Sequence, residues 1–202
     1  MNEYIKRFLN QGYNIIAGVD EAGRGPLAGP VFASVVILPL DCKIEGLNDS
    51  KKLSEKKREY LYDKIIEKAI DYSVASASEK EIDEINILQA TFLAMKRALK
   101  KIKIKPDIIF VDGNRDPGFD IKTECVVKGD SLIDSISAAS ILAKVSRDRF
   151  IRELAKDYPE YGFEKHKGYG TKAHYEAINK YGISKVHRKT FLKKITRNDD
   201  KR

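Results

Sequence analysis

The chain has 202 residues, of which 42% are hydrophobic, enough for one folded domain with a true core and too many for a disordered chain. The chain has 38 lysine and arginine residues and 30 aspartate and glutamate residues, so its formal charge is +8. This charge favours an anionic partner such as nucleic acid, and the alternative is a solvated lysine-rich surface. The longest largely apolar run, at 31–38, is far shorter than the ~20 residues of a membrane-spanning helix. The N-terminus also lacks the apolar segment of a secretory signal, so we expect a soluble, cytoplasmic protein without membrane contact.

The cysteines and histidines exclude two further classes of protein. Cys42 and Cys125 lie far apart and form no CxxC pair, so we expect free thiols in a reducing compartment rather than a disulfide framework. Together with the three histidines they do not give the spacing of a zinc finger.

The first part of the chain predicts a helix followed by a β-hairpin. Residues 1–13 have the pattern of a short amphipathic helix that ends at Gly12. Segments 15–20 and 31–38 are apolar enough for buried strands, and their closeness along the chain favours antiparallel pairing. The glycine- and proline-rich stretch between them, 22–30, predicts turns and a backbone that a ligand can approach closely.

The remaining elements alternate between helices and strands. The patterns predict, in order, a helix opening at Ser54, a strand at 72–77, a capping box at 78–81 before a helix that reaches Ile102, and strands at 107–112 and 123–127. They then predict a long helix that opens at Ser131 and runs from Ile133 to about Lys156, and a short helix at 173–179. This order predicts an α/β fold: one mixed five-stranded sheet flanked by helices, with a small helical C-terminal appendage.

Carboxylates stand where the predicted strands end. Asp20 and Glu21 close the first strand, Asp112 closes the fourth, and Asp130 follows the fifth. Neighbouring strand ends in an open α/β sheet meet at one crevice, so we expect these side chains to converge. Convergent carboxylates repel one another, and hard divalent cations such as Mg²⁺ or Mn²⁺ relieve that repulsion through oxygen ligands. Acids in a basic protein therefore favour a metal-dependent enzyme that acts on a polyanion, with two ions assisting phosphoryl displacement.

Each of these acids also has a purely structural interpretation. Asp112 precedes Gly113 and is a common type of turn former. Asp130 is a possible helix N-cap, and Ser131 to Asp134 a possible capping box. Asp148 is a rival fourth acid, but a straight helix would put it about 27 Å from Asp130, so we expect a surface ion pair there instead.

Six short sequence blocks, in a fixed order over about residues 14–192, carry a family resemblance. They are 18–30, 49–53, 111–113, 128–130, 137–148 and 166–171. Together they resemble bacterial ribonuclease HII, the type 2 ribonuclease H. The resemblance implies a ribonuclease H-like fold, hydrolysis of the RNA strand of RNA–DNA hybrids, and cleavage 5′ to single ribonucleotides in duplex DNA with 3′-hydroxyl and 5′-phosphate products.

The resemblance also implies roles for the acids. The acids of the family fall on Asp20, Glu21, Asp112 and Asp130, which are the residues at the predicted strand ends. They would hold Mg²⁺ or Mn²⁺ and activate a water, so no protein nucleophile is needed.

Substrate contacts follow from the same resemblance. Gly23-Arg24-Gly25 would read the 2′-hydroxyl, the group that distinguishes RNA from DNA, through its backbone. Tyr169 would pack at the sugar of the RNA–DNA junction, and Ser50 with Lys51 would contact phosphate. Without the resemblance, the loop is a structural turn, Tyr169 an ordinary core or surface tyrosine, and Lys51 a solvated lysine.

Other polar residues give weaker signals. Six basic residues toward the C-terminus are candidates for tracking a phosphate backbone, although such a run is more often a solvated face: Lys165, Lys167, Lys172, Lys185, Arg188 and Lys189. His166 and His187 are candidates for acid–base catalysis. Metal-assisted hydrolysis does not need them, so we leave both out of the catalytic set.

We expect one catalytic domain at 14–196, with its core at 14–157 and a helical substrate-binding segment at 158–196. It would follow the N-terminal helix at 1–13 and precede a polar tail at 197–202, and we expect a monomer. Arginine rather than lysine at position 24, and the short stretch before the first strand, favour ribonuclease HII over ribonuclease HIII. The expected partners are RNA–DNA hybrids and DNA duplexes containing ribonucleotides. The alternatives are a non-catalytic nucleic-acid-binding protein on the same fold and a lysine-rich ribosome-associated protein.

Overall fold

A five-stranded mixed sheet forms the centre of the molecule. The computed structural model describes residues 3–47 and 53–193. The strands are β1 (Ile16–Ala22), β2 (Val31–Ile37), β3 (Asp71–Ala77), β4 (Ile108–Asp112) and β5 (Thr123–Val126), and their order across the sheet is β3-β2-β1-β4-β5. The pairs β1–β2 and β2–β3 are antiparallel, whereas β4 runs parallel to both β1 and β5. The predicted hairpin and mixed sheet are confirmed.

Helices cover both faces of this sheet. They are α1 (Glu3–Leu9), α2 (Glu55–Lys68), α3 (Glu79–Lys101), α4 (Asp134–Asp157), α5 (Phe163–His166) and α6 (Lys172–Tyr181). The α3 side buries alternate strand residues such as Ala17 and Val19 against Met95. Helix α4 lies on the opposite face, where Gly18 allows close approach, because a Cβ at that position would stand 2.1 Å from the Ser135 carbonyl carbon.

Helix α3 begins as predicted but is interrupted within its length. The capping box between Ser78 and Glu81 is present as predicted. Helix α3 is interrupted at Asn86, which has a φ of 66° and whose side chain accepts the N–H groups of Leu88 and Gln89, so that it caps the second part of the helix. The apolar spacing did not indicate this break, because Ile85, Leu88 and Phe92 continue at steps of three and four across it.

Helix α4 begins later than the sequence indicated. A 3₁₀ turn at Gly129–Ser131 precedes it, and Ile133 occupies its N-cap position without a side-chain bond. The predicted span from Ile133 to about Lys156 agrees with α4, but the opening at Ser131 and the N-cap role for Asp130 are wrong. The capping box from Ser131 to Asp134 is wrong for the same reason.

The C-terminal segment packs on the core through its own small apolar cluster. Tyr161, Phe163 and Ile178 are buried there against Leu27 and Ile151. This segment is the predicted helical appendage, described here as far as residue 193. Among the residues that the structure describes, no helix is both long and apolar enough to cross a membrane.

Candidate active site

Two aspartates lie at the same edge of the sheet, where the parallel pairing of β1 with β4 ends. Strands β1 and β4 pair with Val19 opposite Val111, so the residues that follow, Asp20 and Asp112, lie side by side. Asp20 is buried with 5% of its surface exposed, and the Asp112 charge acts on its carboxyl group. The two strand ends therefore converge, as the strand pattern predicted.

Asp130 reaches the same place from the 3₁₀ turn that follows β5. Its backbone N–H points at the Asp112 Oδ1 from 3.4 Å, the long limit of a hydrogen bond, and the residue is buried. Gly129 makes the approach possible, because a Cβ there would lie 2.6 Å from the Ile136 Cδ1. The third acidic segment thus joins the first two through backbone contact.

Glu21 points away from Asp20 because successive residues of a strand alternate between its faces. Asp20 lies on the α4 side, where the Ser140 hydroxyl hydrogen-bonds to its carboxylate. Glu21 lines a hollow on the α3 side next to Met95 and pairs with Arg24, whose Nη1 lies 3.3 Å from the Glu21 Oε1. Because it stands at the strand end, Glu21 also borders the hollow beside Ser140.

Burial and the neighbouring acids raise the pKa of the Asp20 carboxyl group. Burial is the main cause that holds the pKa of its carboxyl group well above the usual value, and the charges of Glu21 and Asp112 raise it further. The Ser140 hydroxyl and the Glu21 backbone N–H, 2.7 Å from the Asp20 Oδ1, act in the opposite direction. Among the residues that the structure describes, the groups that set the pKa of Asp20 include no positively charged side chain.

The donor set fits a hard divalent cation without forming a finished cage. Within residues 3–47 and 53–193, no three His, Cys, Asp or Glu side chains are arranged as a ready metal site. All the candidate donors are carboxylate oxygens, which Mg²⁺ and Mn²⁺ prefer. A cation beside Asp20 would also reverse the effect that its acidic neighbours have on its pKa. That the four acids are ligands stays a prediction.

Arg188, from the C-terminal segment, holds the glycine loop (residues 23–25) from inside the protein. Its buried guanidinium donates to the carbonyl oxygens of Gly23 at 2.6 Å and Arg24 at 2.9 Å. Across a trans peptide the C=O of one residue and the N–H of the next point in opposite directions, so the N–H groups of Arg24 and Gly25 are turned away from Arg188. The expectation that Arg188 tracks phosphate is wrong, because its side chain is inaccessible.

Arg147, from α4, fills the space beneath the same loop. Its Nη2 donates to the Ala28 carbonyl at 3.2 Å and its Nε to the Pro30 carbonyl at 3.1 Å. Gly23 has a φ of +93°, and a Cβ there would lie 2.0 Å from the Arg147 Nε. Packing inside the protein therefore requires glycine at position 23, which is a different reason from the close ligand approach that the sequence suggested.

Tyr169 stands across the hollow from the glycine loop. Its side chain is 43% exposed, and a Cβ at Gly25 would lie 3.6 Å from the Tyr169 Cε1. The Glu21 and Lys144 side chains border the same hollow. The structure thus brings Tyr169, the glycine loop and one of the acids together.

The remaining predicted contacts have different outcomes. Ser50 and Lys51 lie outside the described residues. Four of the candidate phosphate-tracking lysines are exposed and Lys167 is half-buried: the exposed ones are Lys165, Lys172, Lys185 and Lys189. Their contacts with phosphate stay a prediction.

Sequence reasoning missed the residues that support the acids from α4. Ser140 was part of a run of small residues whose only apparent role was close packing, and no pattern distinguished its hydroxyl. Asp148 is 4% exposed, with its Oδ1 2.7 Å from the Lys144 Nζ, so the predicted ion pair is confirmed but its surface location is wrong. The buried Asp148 holds Lys144 at the edge of the hollow.

Comparisons with known proteins agree with this arrangement. A family model described as Ribonuclease HII matches residues 17–194. The chain is 57% identical over 197 residues to a Ribonuclease HII of Clostridioides difficile, covering 96% of this chain and 77% of that protein. It is 56% identical over 193 residues to a Ribonuclease HII of Caldicellulosiruptor bescii, covering 96% of this chain and 94% of the relative.

Solved structures share the fold. The ribonuclease H2 of Pyrococcus horikoshii has a TM-score of 0.72 and 34% identity, over 87% of this chain and 93% of the other. Bst-RNase HIII in complex with Mn²⁺ has a TM-score of 0.66 at 18% identity, over 83% and 63% of the two chains, and so shares the fold alone. Because the family model matches most of the chain and these relatives share more than half of its residues, the chain belongs to the ribonuclease HII family and is an endonuclease of the ribonuclease H class.

Proposed function

We propose that Asp20, Glu21, Asp112 and Asp130 hold divalent cations, Mg²⁺ or Mn²⁺, at the end of β1 and β4. The supporting observation is the buried Asp20 carboxyl group, whose pKa is raised by burial and by two neighbouring acids. Such a group gains most from a cation, because the cation removes the repulsion that burial has strengthened. The Mn²⁺ complex of Bst-RNase HIII supports the same choice of ion on this fold.

The cations, when bound, would lower the pKa of a water and neutralise charge that develops on the scissile phosphate. The chain's own residues orient what surrounds them. The Ser140 hydroxyl and the Glu21 backbone N–H fix the rotamer of the Asp20 carboxylate. Lys144, held by Asp148 at 2.7 Å, places a positive charge beside the hollow where a phosphate would lie.

The glycine loop and Tyr169 would choose the place of cleavage. Arg188 turns the loop carbonyls inward, which leaves the N–H groups of Arg24 and Gly25 directed away from it as donors for a ribose oxygen. The exposed Tyr169 ring faces Gly25 across the hollow and would pack against the adjoining sugar. The proposed substrates are RNA–DNA hybrids and DNA duplexes with embedded ribonucleotides, and the proposed cut lies 5′ to the ribonucleotide.

Cleavage mapping on a DNA duplex with one ribonucleotide tests this proposal. We expect one cut 5′ to that nucleotide, with 3′-hydroxyl and 5′-phosphate ends, that EDTA abolishes. Asp20→Asn should bind the duplex and fail to cut it, whereas Asp63→Asn, on an exposed face of α2, should cut at the normal rate. Normal cleavage by Asp20→Asn would overturn the assignment of the acids, and cutting at deoxyribonucleotides would overturn that of the glycine loop.

A further inference from the structure

All three histidines of the chain lie together in the C-terminal segment, and the proposed chemistry uses none of them. His174 and His187 are buried, with their Nε2 atoms 3.1 Å apart. The His166 ring stacks on His174 with 4.5 Å between ring centroids. Two imidazoles in direct hydrogen-bond contact away from water constrain each other's protons.

The first ring takes one defined neutral form. The His174 Nδ1 lies 2.9 Å from the carbonyl oxygen of Tyr169. A carbonyl oxygen only accepts, so the Nδ1 must carry the hydrogen. In the neutral ring the other nitrogen, Nε2, is then an acceptor that faces His187.

The proton positions on the His187 ring follow from those on His174, and they agree with the contact that Ser184 makes. The His187 Nε2 must donate to His174, which leaves the His187 Nδ1 as an acceptor. The Ser184 backbone N–H, which only donates, lies 3.0 Å from this Nδ1. The hydrogen bonds therefore run in one direction, from Ser184 through both imidazoles to Tyr169.

We propose that this chain of hydrogen bonds, the histidine relay (Ser184 N–H, His187, His174 and the Tyr169 carbonyl), positions Tyr169 for substrate with both rings neutral. His174 and His187 are then positioning residues. The inference rests on the proposed role of Tyr169 at the substrate sugar.

A proton added to either ring replaces an acceptor of the relay by a donor. On His174 the new donor would face the His187 donor. On His187 it would face the Ser184 N–H, so that the Ser184 hydroxyl, 2.8 Å from the same Nδ1, would have to accept it. Burial is the largest cause that lowers the pKa of both rings, with His174 lowering that of His187 further, to about 4. The other titratable groups against these rings are His166, stacked on His174, and Tyr161, 4.8 Å from the His187 ring, and neither is an anion at neutral pH.

Nitrogen-15 NMR of the histidine rings in the full chain tests the relay without using activity. We expect His174 as the Nδ1–H tautomer and His187 as the Nε2–H tautomer at pH 7, with both rings still neutral near pH 6. An Nε2–H tautomer at His174, or titration of either buried ring near the ordinary value of about 6.5, would overturn the relay whatever Tyr169 does.

Two substitutions of His174 test whether its side chain positions Tyr169 or only fills space in the core. In His174→Asn the side-chain amide lies near the former Nδ1 and can still donate to Tyr169, whereas in His174→Gln it lies near the former Nε2 and cannot. For cleavage of a duplex with one ribonucleotide, we expect His174→Gln to raise KM about tenfold with little change in kcat. The KM of His174→Asn should stay close to that of the parent chain. Glu176→Gln, exposed on the same helix, is the matched control.

Combination with Tyr169→Ala distinguishes the two proposals. In that background His174→Gln should have no further effect on KM, because the positioned ring is gone. An equal loss from His174→Asn and His174→Gln, or a full additional loss beside Tyr169→Ala, would contradict the relay. If Tyr169→Ala alone leaves cleavage unchanged, the proposed substrate role of Tyr169 fails, and the NMR result still decides whether the relay exists.

Discussion

The Arg188 guanidinium donates a hydrogen bond of 2.6 Å to the carbonyl oxygen of Gly23, although 165 positions separate the two residues in the chain. A buried side chain from the end of the domain thus fixes the backbone of a loop at its beginning. The C-terminal segment is therefore part of the architecture of the candidate active site, and its packing affects how the loop meets substrate.

Removing this guanidinium should affect both stability and cleavage. Arg188→Leu leaves the buried Gly23 and Gly29 carbonyls, and the partly buried Arg24 carbonyl, without their Arg188 donor. We expect a loss of about 3 kcal/mol in the free energy of unfolding, together with weaker preference for the ribonucleotide position. Urea unfolding and cleavage mapping measure the two effects, with Lys185→Ala as the exposed basic control for stability. A loss below about 0.5 kcal/mol would contradict the structural role of Arg188.

Gly23→Ala should be far more damaging than an alanine at another glycine with nearly the same φ. Gly23 and Gly12 have φ values of +93° and +90°, but a Cβ at Gly23 would lie 2.0 Å from the Arg147 Nε, whereas a Cβ at Gly12 meets nothing within 4 Å. We expect about 1 kcal/mol of destabilisation for Gly12→Ala from backbone strain alone, and about 3 kcal/mol for Gly23→Ala. Thermal unfolding of the two variants compares them, and equal losses would show that Arg147 does not fill the space beneath the loop.

Asp20→Asn should stabilise the metal-free fold while it abolishes cleavage. Burial, Glu21 and Asp112 raise the pKa of Asp20, so its ionised form weakens folding at every pH above that raised value, and the stability is recovered as the pH falls through it. We expect the amide to add about 1 kcal/mol or more to the free energy of unfolding at pH 8 in EDTA. The difference should shrink when Mg²⁺ or Mn²⁺ is added, because the cation stabilises only the parent carboxylate. Lower stability of Asp20→Asn in EDTA would contradict the electrostatic crowding.

Acid should weaken the start of α3. Arg97 and the Ser78 backbone stabilise the ionised Glu81 and lower its pKa from 4.5 to about 2, with the Arg97 Nη2 2.6 Å from the Glu81 Oε1. A lowered carboxyl pKa gives stability that is complete above about pH 4.5 and is lost as the pH falls toward 2. Because both side chains are partly exposed, solvent screens the pair, and we expect only about 1 kcal/mol.

The comparison of Glu81→Gln with the parent chain at two pH values measures this contribution. At pH 7 the variant should be less stable by the stated amount, and the difference should shrink as the pH falls from about 4.5 toward 2. Lys80→Gln, whose partner Glu84 lies 3.9 Å away on the surface, is the control for loss of an exposed ion pair. A pH-independent difference would show that the capping box acts without the charge of Glu81.

Local patterns were sufficient wherever neighbours in the chain decide the structure. The capping box at Ser78 was readable because its partner is three residues away, and the strand ends were readable because apolar runs stop at Asp20 and Asp112. The break at Asn86 was not readable, since a residue with positive φ can interrupt a helix without interrupting its apolar spacing. Likewise Arg188 belongs to a basic run, and charge alone cannot show that its guanidinium folds inward.

The sequence alone determined the family, the mixed sheet and the acids at its strand ends, because these depend on residue types at short spacing or in ordered motifs. Only the tertiary structure decided which side chains meet: that Ser140 hydrogen-bonds to Asp20, that Arg147 and Arg188 fill the space behind the glycine loop, and that His174 holds the Tyr169 carbonyl. These contacts join residues that are distant in the chain, and their partners are backbone groups that every residue possesses. The pairing therefore leaves no mark in the amino-acid sequence and arises from packing.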